Sequence, residues 1–345
     1  MAKLVRTPLV RMPDRPLWRL TNQLLDDAMF PVFKLMAPGY GRRLARFRPP
    51  ADLDLLMLWT VGAPQEVYVG PESPWRGCRV ERISFQSACT TRCCENSRVW
   101  GQLITLERGA PWVVIVPGLG TGAFGRDSYD VFQSVHARAV LDAGMNVALI
   151  DLPYHKRRKR SGCTSGEGFF SPDLEETAGV FRQGAADIIS LVKWVQQERK
   201  GPVALWGTSL GGSMAGLATA FLPTLSACVL MEPLDNPGDP LLYLKSTRDI
   251  LRYVEEAGLD PTEIPGLLRH VAPSTYRPAI DKERVLFVTT LWDRIIRPEC
   301  QERFWEAWGQ PPRLTWEGGH ITTAYNRRVV SEALAFLRGH LCEAE

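Results

Sequence analysis

The stretch Pro202-Val-Ala-Leu-Trp-Gly-Thr-Ser-Leu-Gly-Gly-Ser-Met-Ala-Gly-Leu217 decides how this chain is read. Val203 to Trp206 is a short apolar run, which suits a strand buried within a sheet. Residues 210–221 are small and apolar and predict a helix. Between them, Gly207-Thr-Ser-Leu-Gly211 must turn the chain sharply from strand to helix. A serine at the apex of such a turn sits in strained backbone with its hydroxyl clear of neighbouring chain. Glycines flank it because a Cβ at either place would collide where strand and helix pass. The helix that starts at Leu210 aims its first N–H groups at any anion forming beside Ser209.

The same alternation of strand and helix continues on both sides. Residues 112–116 are an unbroken apolar run, the pattern of a strand covered on both faces; 146–151, 227–231 and 285–291 read as further buried strands, and 313–316 predicts one more. Helices are predicted over 129–143, ended by Gly144, and over 177–198, 298–308 and 326–341. Residues 78–87 and 99–106 alternate apolar and polar, which predicts two antiparallel strands joined by a loop through Glu95 and Asn96. The implied class is α/β, with a mainly parallel central sheet and helices on both faces. At 345 residues the chain is long enough for one large domain or two ordinary ones.

In such a sheet the reactive groups gather beyond the carboxyl ends of the strands. That rule collects the 117–122 loop, the 151–155 loop, Ser209, Glu232, Asp293 and His320 on one edge. A serine hydroxyl needs an adjacent base, and the base needs an orienting acid. His320 lies in Glu317-Gly-Gly-His320, just past the last expected strand. Asp293 follows residues 285–291 in Leu291-Trp-Asp-Arg-Ile-Ile296. The order serine, acid, histidine is that of a hydrolytic triad on this kind of sheet. Glu232 is the rival acid, and His155 is expected to contact substrate or to hold its own loop.

Val-Pro-Gly-Leu-Gly120, the serine turn, Trp292-Asp-Arg-Ile-Ile296 and Gly318-Gly-His320 resemble the α/β-hydrolase superfamily over residues 76–342, in an esterase- or lipase-like branch. The resemblance implies that Ser209 is the nucleophile, His320 the base and Asp293 the acid. It places the oxyanion hole at the backbone N–H groups of Leu119 and Leu210. Many members have His-Gly where this chain has Pro117-Gly118. It also implies a helical lid in residues 233–281, where 241–256 and 263–270 predict helices. The expected reaction is carboxylic ester hydrolysis through an acyl-enzyme, on a small-molecule or lipid ester. That chemistry calls for no cofactor, no metal and no nucleic-acid partner.

Two other readings stay open. Gly118-x-Gly120-x-x-Ala123 between a strand and a helix, with Asp151 beyond the next strand, imitates a dinucleotide-binding unit, which would make the chain an oxidoreductase. A hydrolase fold without activity would serve as a binding protein.

The remaining features concern charge and thiols. Residues 1–75 form a basic helical extension, and the first fifty residues hold ten Lys or Arg against three Asp. Leu24, Leu25, Met29, Phe30, Phe33 and Met36, flanked by Arg42, Arg43, Arg46 and Arg48, predict an amphipathic helix. It would either rest on an anionic membrane surface or pack on the main domain with its basic face in solvent. Lys156-Arg-Arg-Lys-Arg160 is expected to be a solvated charge run, or an attractor for anionic substrates beside the site. Eight cysteines show no paired framework, and Cys89, Cys93 and Cys94 are expected to be free thiols rather than metal ligands. With no apolar leader, this points to a cytoplasmic protein.

Overall fold

The computed structural model describes residues 16–36, 55–122 and 131–342, with backbone alone for residues 30–36 and 131–134. The strands are β1 Val67–Val69, β2 Ser73–Trp75, β3 Cys78–Gln86, β4 Arg98–Thr105, β5 Trp112–Val116, β6 Asn146–Ile150, β7 Val203–Thr208, β8 Ala227–Met231, β9 Val285–Thr290 and β10 Arg313–Trp316. The helices are α1 Pro16–Met36, α2 Val131–Asp142, α3 Leu174–Glu198, α4 Leu210–Thr219, α5 Gly238–Tyr243, α6 Arg248–Glu256, α7 Ile264–Leu267, α8 Pro298–Ala307, α9 His320–Ala324 and α10 Arg327–Leu341.

One sheet runs in the order β1-β3-β4-β6-β5-β7-β8-β9-β10, with β2 paired to β3. From β6 to β10 every pairing is parallel, while β4 joins β6 antiparallel. The apolar runs make this so. Val114, Val116, Ala148 and Ile150 bury into one layer with α3 and α4. Val113, Ile115, Val147 and Leu149 bury into the other, with α2 and α10. After β5 the chain crosses to β6 on one side, then returns to β7 on the other. The carboxyl ends of β5 and β7 therefore form a topological switch point, where the connections diverge and leave a crevice.

The expected core strands and helices are present, with ends shifted by a residue or a few. The expected helix start at Tyr129, the Ala123 of the glycine pattern, the cations Arg42, Arg43, Arg46 and Arg48, and the side chains of Phe30, Phe33 and Met36 lie outside the described residues. Residues 233–281 do not form two plain helices. They break into α5, α6, α7 and short 3-10 turns. Leu244 is extended, and the Thr247 hydroxyl donates to the carbonyls of Leu241 and Leu244, so the first helix stops there. No helix among the described residues is long and apolar enough to cross a membrane.

The basic run at 156–160 is only partly solvated: Arg157 and Arg160 are exposed, Lys156 and Lys159 are half-buried, and Arg158 is buried. Arg158 is fully buried, donates to the carbonyls of Asp151 and Asn96, and is ion-paired with buried Asp187 at 2.8 Å. Lys156 pairs with Asp151, Arg157 lies over Trp100, Lys159 donates to Cys163 O, and Arg160 lies over Tyr154. Each cation is spent on holding the 151–165 segment. The thiols of Cys93 and Cys94 turn to Glu95, and the cysteines form no metal-ligand group among the described residues.

Candidate active site

The turn after β7 is as tight as its glycines predict. A Cβ on Gly207 would lie 2.2 Å from Gly211 O, and one on Gly211 would lie 2.1 Å from Val116 O. Ser209 has φ 58°, a left-handed backbone that costs a non-glycine residue on the order of 1–3 kcal/mol. The strain is held by Ser209 N donating to Met231 O and by Gly212 N, Ser213 N and Leu234 N donating to Ser209 O. The Ser209 hydroxyl makes no hydrogen bond among the described residues, so it is not joined to His320.

His320 and Asp293 are brought together directly. His320 Nδ1 donates to Asp293 Oδ2 at 2.7 Å. Asp293 Oδ1 accepts from Ile295 N and Ile296 N, and Oδ2 accepts from Gln301 Nε2. Gln301 also accepts from Thr290 N and donates to Ile296 O, which locks the acid at the end of β9. Burial works against the imidazolium of His320, but the facing carboxylates of Asp293 and Glu232 outweigh it and hold the group above its ordinary 6.5.

Glu232 stands 3.8 Å from His320 Nδ1, fully buried, at φ 48°. Neither carboxyl oxygen has a hydrogen-bond partner in the contacts that surround it. Burial, with Asp293 nearby, pushes its pKa well above the ordinary carboxylate range. Glu232, Asp293 and His320 offer ligand atoms within 4.8 Å of one another. The direct bond from Nδ1 to Asp293 fixes the orientation of the imidazole.

Leu119 and Leu210 flank Ser209 at the pocket, and neither N–H donates a hydrogen bond among the described residues. The 117–122 loop is clamped from behind. Gly120 N donates to His155 Nε2 at 3.0 Å, His155 Nδ1 donates to Pro153 O, and the Ser165 hydroxyl donates to Thr121 O. This fixes His155 in one neutral tautomer, and burial pushes its pKa down to about 4. Of the two roles expected for His155, substrate contact or holding its loop, the structure shows the second, and neither it nor Glu232, the other expected substrate contact, lines the pocket, both being fully buried. The same contacts oppose a dinucleotide site: Gly120 N–H is already spent, and Asp151 faces Lys156.

The pocket beside Ser209 is apolar. Leu119, Phe170, Leu234, Leu241, Ile250 and Ile296 line it, with Ser246 and Thr247 from the insertion. About 70 Å³ of it is open to the centre of a water-sized sphere.

Sequence reasoning missed the part played by α1. Its Asp26 accepts from His320 N, Ile321 N and Arg294 N at 3.1, 3.2 and 3.1 Å. Asn22 accepts from Gly319 N at 2.9 Å, Trp18 donates to Glu317 O, and Asp27 pairs with Arg294 at 2.8 Å. One helix thus seats both the histidine loop and the acid loop. The expected amphipathic helix packs on the main body, but through Asn22 and Asp26, while Leu24 and Leu25 face solvent. The i, i+4 spacing of Asn22 and Asp26 was the available signal, since it places both on one face.

With this geometry in hand, the class is clear. Residues 113–340 match the model described as "Alpha/beta hydrolase family", and the chain belongs to that family. Among curated relatives, Uncharacterized protein Rv2627c of Mycobacterium tuberculosis is 27% identical over 236 residues, 68% of this chain and 55% of that protein. The chain thus spans about half the length of the curated relatives it first matches. Acetyl Xylan Esterase 1 from Thermoanaerobacterium sp. JW/SL YS485 shares the fold with a TM-score of 0.61 at 16% identity, over 84% of this chain and 95% of that one. An acetyl xylan esterase from Paenibacillus sp. R4 gives 0.59 at 14% identity, over 90% and 98%.

Proposed function

We propose that this protein is a serine ester hydrolase that acts on short acyl esters. The observation that carries the reading is a strained serine elbow at an apolar pocket, on the same sheet edge as a buried His320–Asp293 pair. Ser209 Oγ attacks the ester carbonyl carbon as His320 Nε2 takes its proton. Asp293 accepts Nδ1–H throughout and stabilises the imidazolium. The oxyanion is received by the free N–H groups of Leu119 and Leu210, each worth roughly 3 kcal/mol of barrier. The proton on Nε2 passes to the leaving alkoxide, which departs and leaves the acyl group on Ser209. Water then repeats the cycle, giving its proton to His320 and releasing the acid. Serine and imidazole close on each other when substrate fills the pocket, as in many hydrolases whose free forms have loose contacts.

The pocket supports a short acyl chain. Its apolar lining beside Ser209 and its small open space favour a short acyl group over a long chain. The acetyl xylan esterases that share the fold agree with small acyl groups, though the alcohol portion is not constrained by this pocket. The test is hydrolysis of p-nitrophenyl acetate, butyrate, octanoate and palmitate. Turnover should be highest for the two short esters and fall by about a thousandfold or more in Ser209→Ala. Equal turnover of Ser209→Ala and wild type would refute the nucleophile, and a preference for palmitate would refute the chain length.

A further inference from the structure

Helix α1 is built the wrong way round for a helix that only packs on a core. Its inward residues Asn22 and Asp26 are polar and fully buried. Its outward residues Leu17, Leu20 and Leu24 are 78%, 51% and 58% exposed. At about 100° per residue these three fall within one narrow arc, opposite Asn22 and Asp26. Leu25 and Ala28 are exposed beside them. Burying three leucines in solvent-free surroundings is favourable, so a stripe left in water calls for an occupant.

Charge says which occupant. The first fifty residues carry ten cations and three Asp. Neither Asp on the helix sets an unpaired negative charge beside the stripe: Asp26 is buried against the histidine loop, and Asp27, at the edge of the stripe, is paired with Arg294. Arg19 is exposed on the flank of the helix away from the leucines, and basic residues precede and follow α1 in sequence. An apolar stripe in a cationic sequence, on a helix of 21 residues not apolar enough to span, matches an anionic lipid surface.

We propose that α1 docks this protein on anionic bilayers through Leu17, Leu20 and Leu24. The helix then has two jobs on two faces: the outer face meets lipid while the inner face holds the His320 and Asp293 loops. Docking therefore presents the Ser209 edge of the molecule near the bilayer. This goes beyond the esterase reading and does not depend on it, because its readout involves no turnover.

The test is cosedimentation of the full chain with extruded vesicles, either phosphatidylcholine alone or an equimolar mixture with phosphatidylglycerol. Wild type should pellet with the anionic vesicles and release when salt is raised. It should stay in solution with phosphatidylcholine alone. A Leu17→Gln, Leu20→Gln, Leu24→Gln variant should lose about tenfold or more in vesicle affinity while its circular dichroism stays that of wild type. If the triple variant melts far below wild type, Leu24→Gln alone should still lose about threefold. Wild type that ignores anionic vesicles, or variants that bind them as well, would overturn the proposal. So would a wild-type dimer that the triple variant converts to monomer, since a second copy would then cover the stripe. Protection of the stripe from surface labelling in vesicle-free monomer would also overturn it, with the chain's own flanks as the cover.

Discussion

Asp26→Ala is the most informative single change, because it strikes the machinery from nearly three hundred residues away. The carboxylate accepts three backbone N–H groups, from His320, Ile321 and Arg294. Removing it orphans all three, at roughly 1–3 kcal/mol each where no water replaces it. Part of that is returned, since burial and the nearby Asp293 already raise the pKa of Asp26 and make its ionised form costly. The net expectation is a loss of about 2–4 kcal/mol in unfolding free energy. His320 is also released from its seat, and a shift of about 1 Å in a reacting group costs on the order of a hundredfold. Asp26→Asn should fall between, because its amide keeps only one of the two accepting oxygens. Urea unfolding and kcat/KM on p-nitrophenyl butyrate measure the two effects. An Asp26→Ala protein as stable and as active as wild type would refute the argument that α1 holds the site.

Other outcomes follow from the same contacts. Asp293→Asn should lower kcat about a thousandfold or more, whereas Glu232→Gln, which removes the more distant of the two acids facing His320, should stay within about threefold near neutral pH; kinetics of the two variants check it, and the reverse order would make Glu232 the acid. Because the carboxylates hold His320 above 6.5, its free-base form grows only as pH rises past that value, so kcat/KM should still be climbing at mildly alkaline pH; a plateau reached near pH 6 would contradict this. His155 titrates at about 4 when folded and near 6.5 when unfolded, so the unfolded chain binds a proton that the folded one refuses between those values. Stability should therefore fall as pH drops through that window, by on the order of 3 kcal/mol; denaturant midpoints of wild type and His155→Gln should converge toward acid pH.

What the sequence revealed and what it hid divide along one physical line. The parallel strands were legible because burial on both faces writes itself as an unbroken apolar run, as in Trp112–Val116. The elbow was legible because Gly207 is pressed against Gly211 within the same turn and Gly211 against the Val116 carbonyl of the neighbouring strand, so neither position has room for a Cβ. The His320–Asp293 pair could be inferred from the rule of strand ends. The seat made by Asn22 and Asp26 was legible only in part: their i, i+4 spacing marks one face of a helix, but nothing local says that Asn22 meets Gly319 across 297 residues. Leu24 and Leu25 of α1 point to solvent for the same reason, while Met29 packs against the core. Periodicity finds a stripe but does not say which side faces the core. The run at 156–160 misled because charge alone suggests solvent, while Arg158 satisfies carbonyls and Asp187 in the interior.

The claim beneath all of this is that the Ser209 hydroxyl is chemically activated by the His320–Asp293 pair. Covalent labelling with a fluorophosphonate, read by intact mass and peptide mapping, tests it most directly. The account predicts one adduct, on Ser209, absent in Ser209→Ala and slowed at least about a hundredfold in His320→Ala. An adduct that forms equally fast on Ser209→Ala, or on His320→Ala, would contradict it.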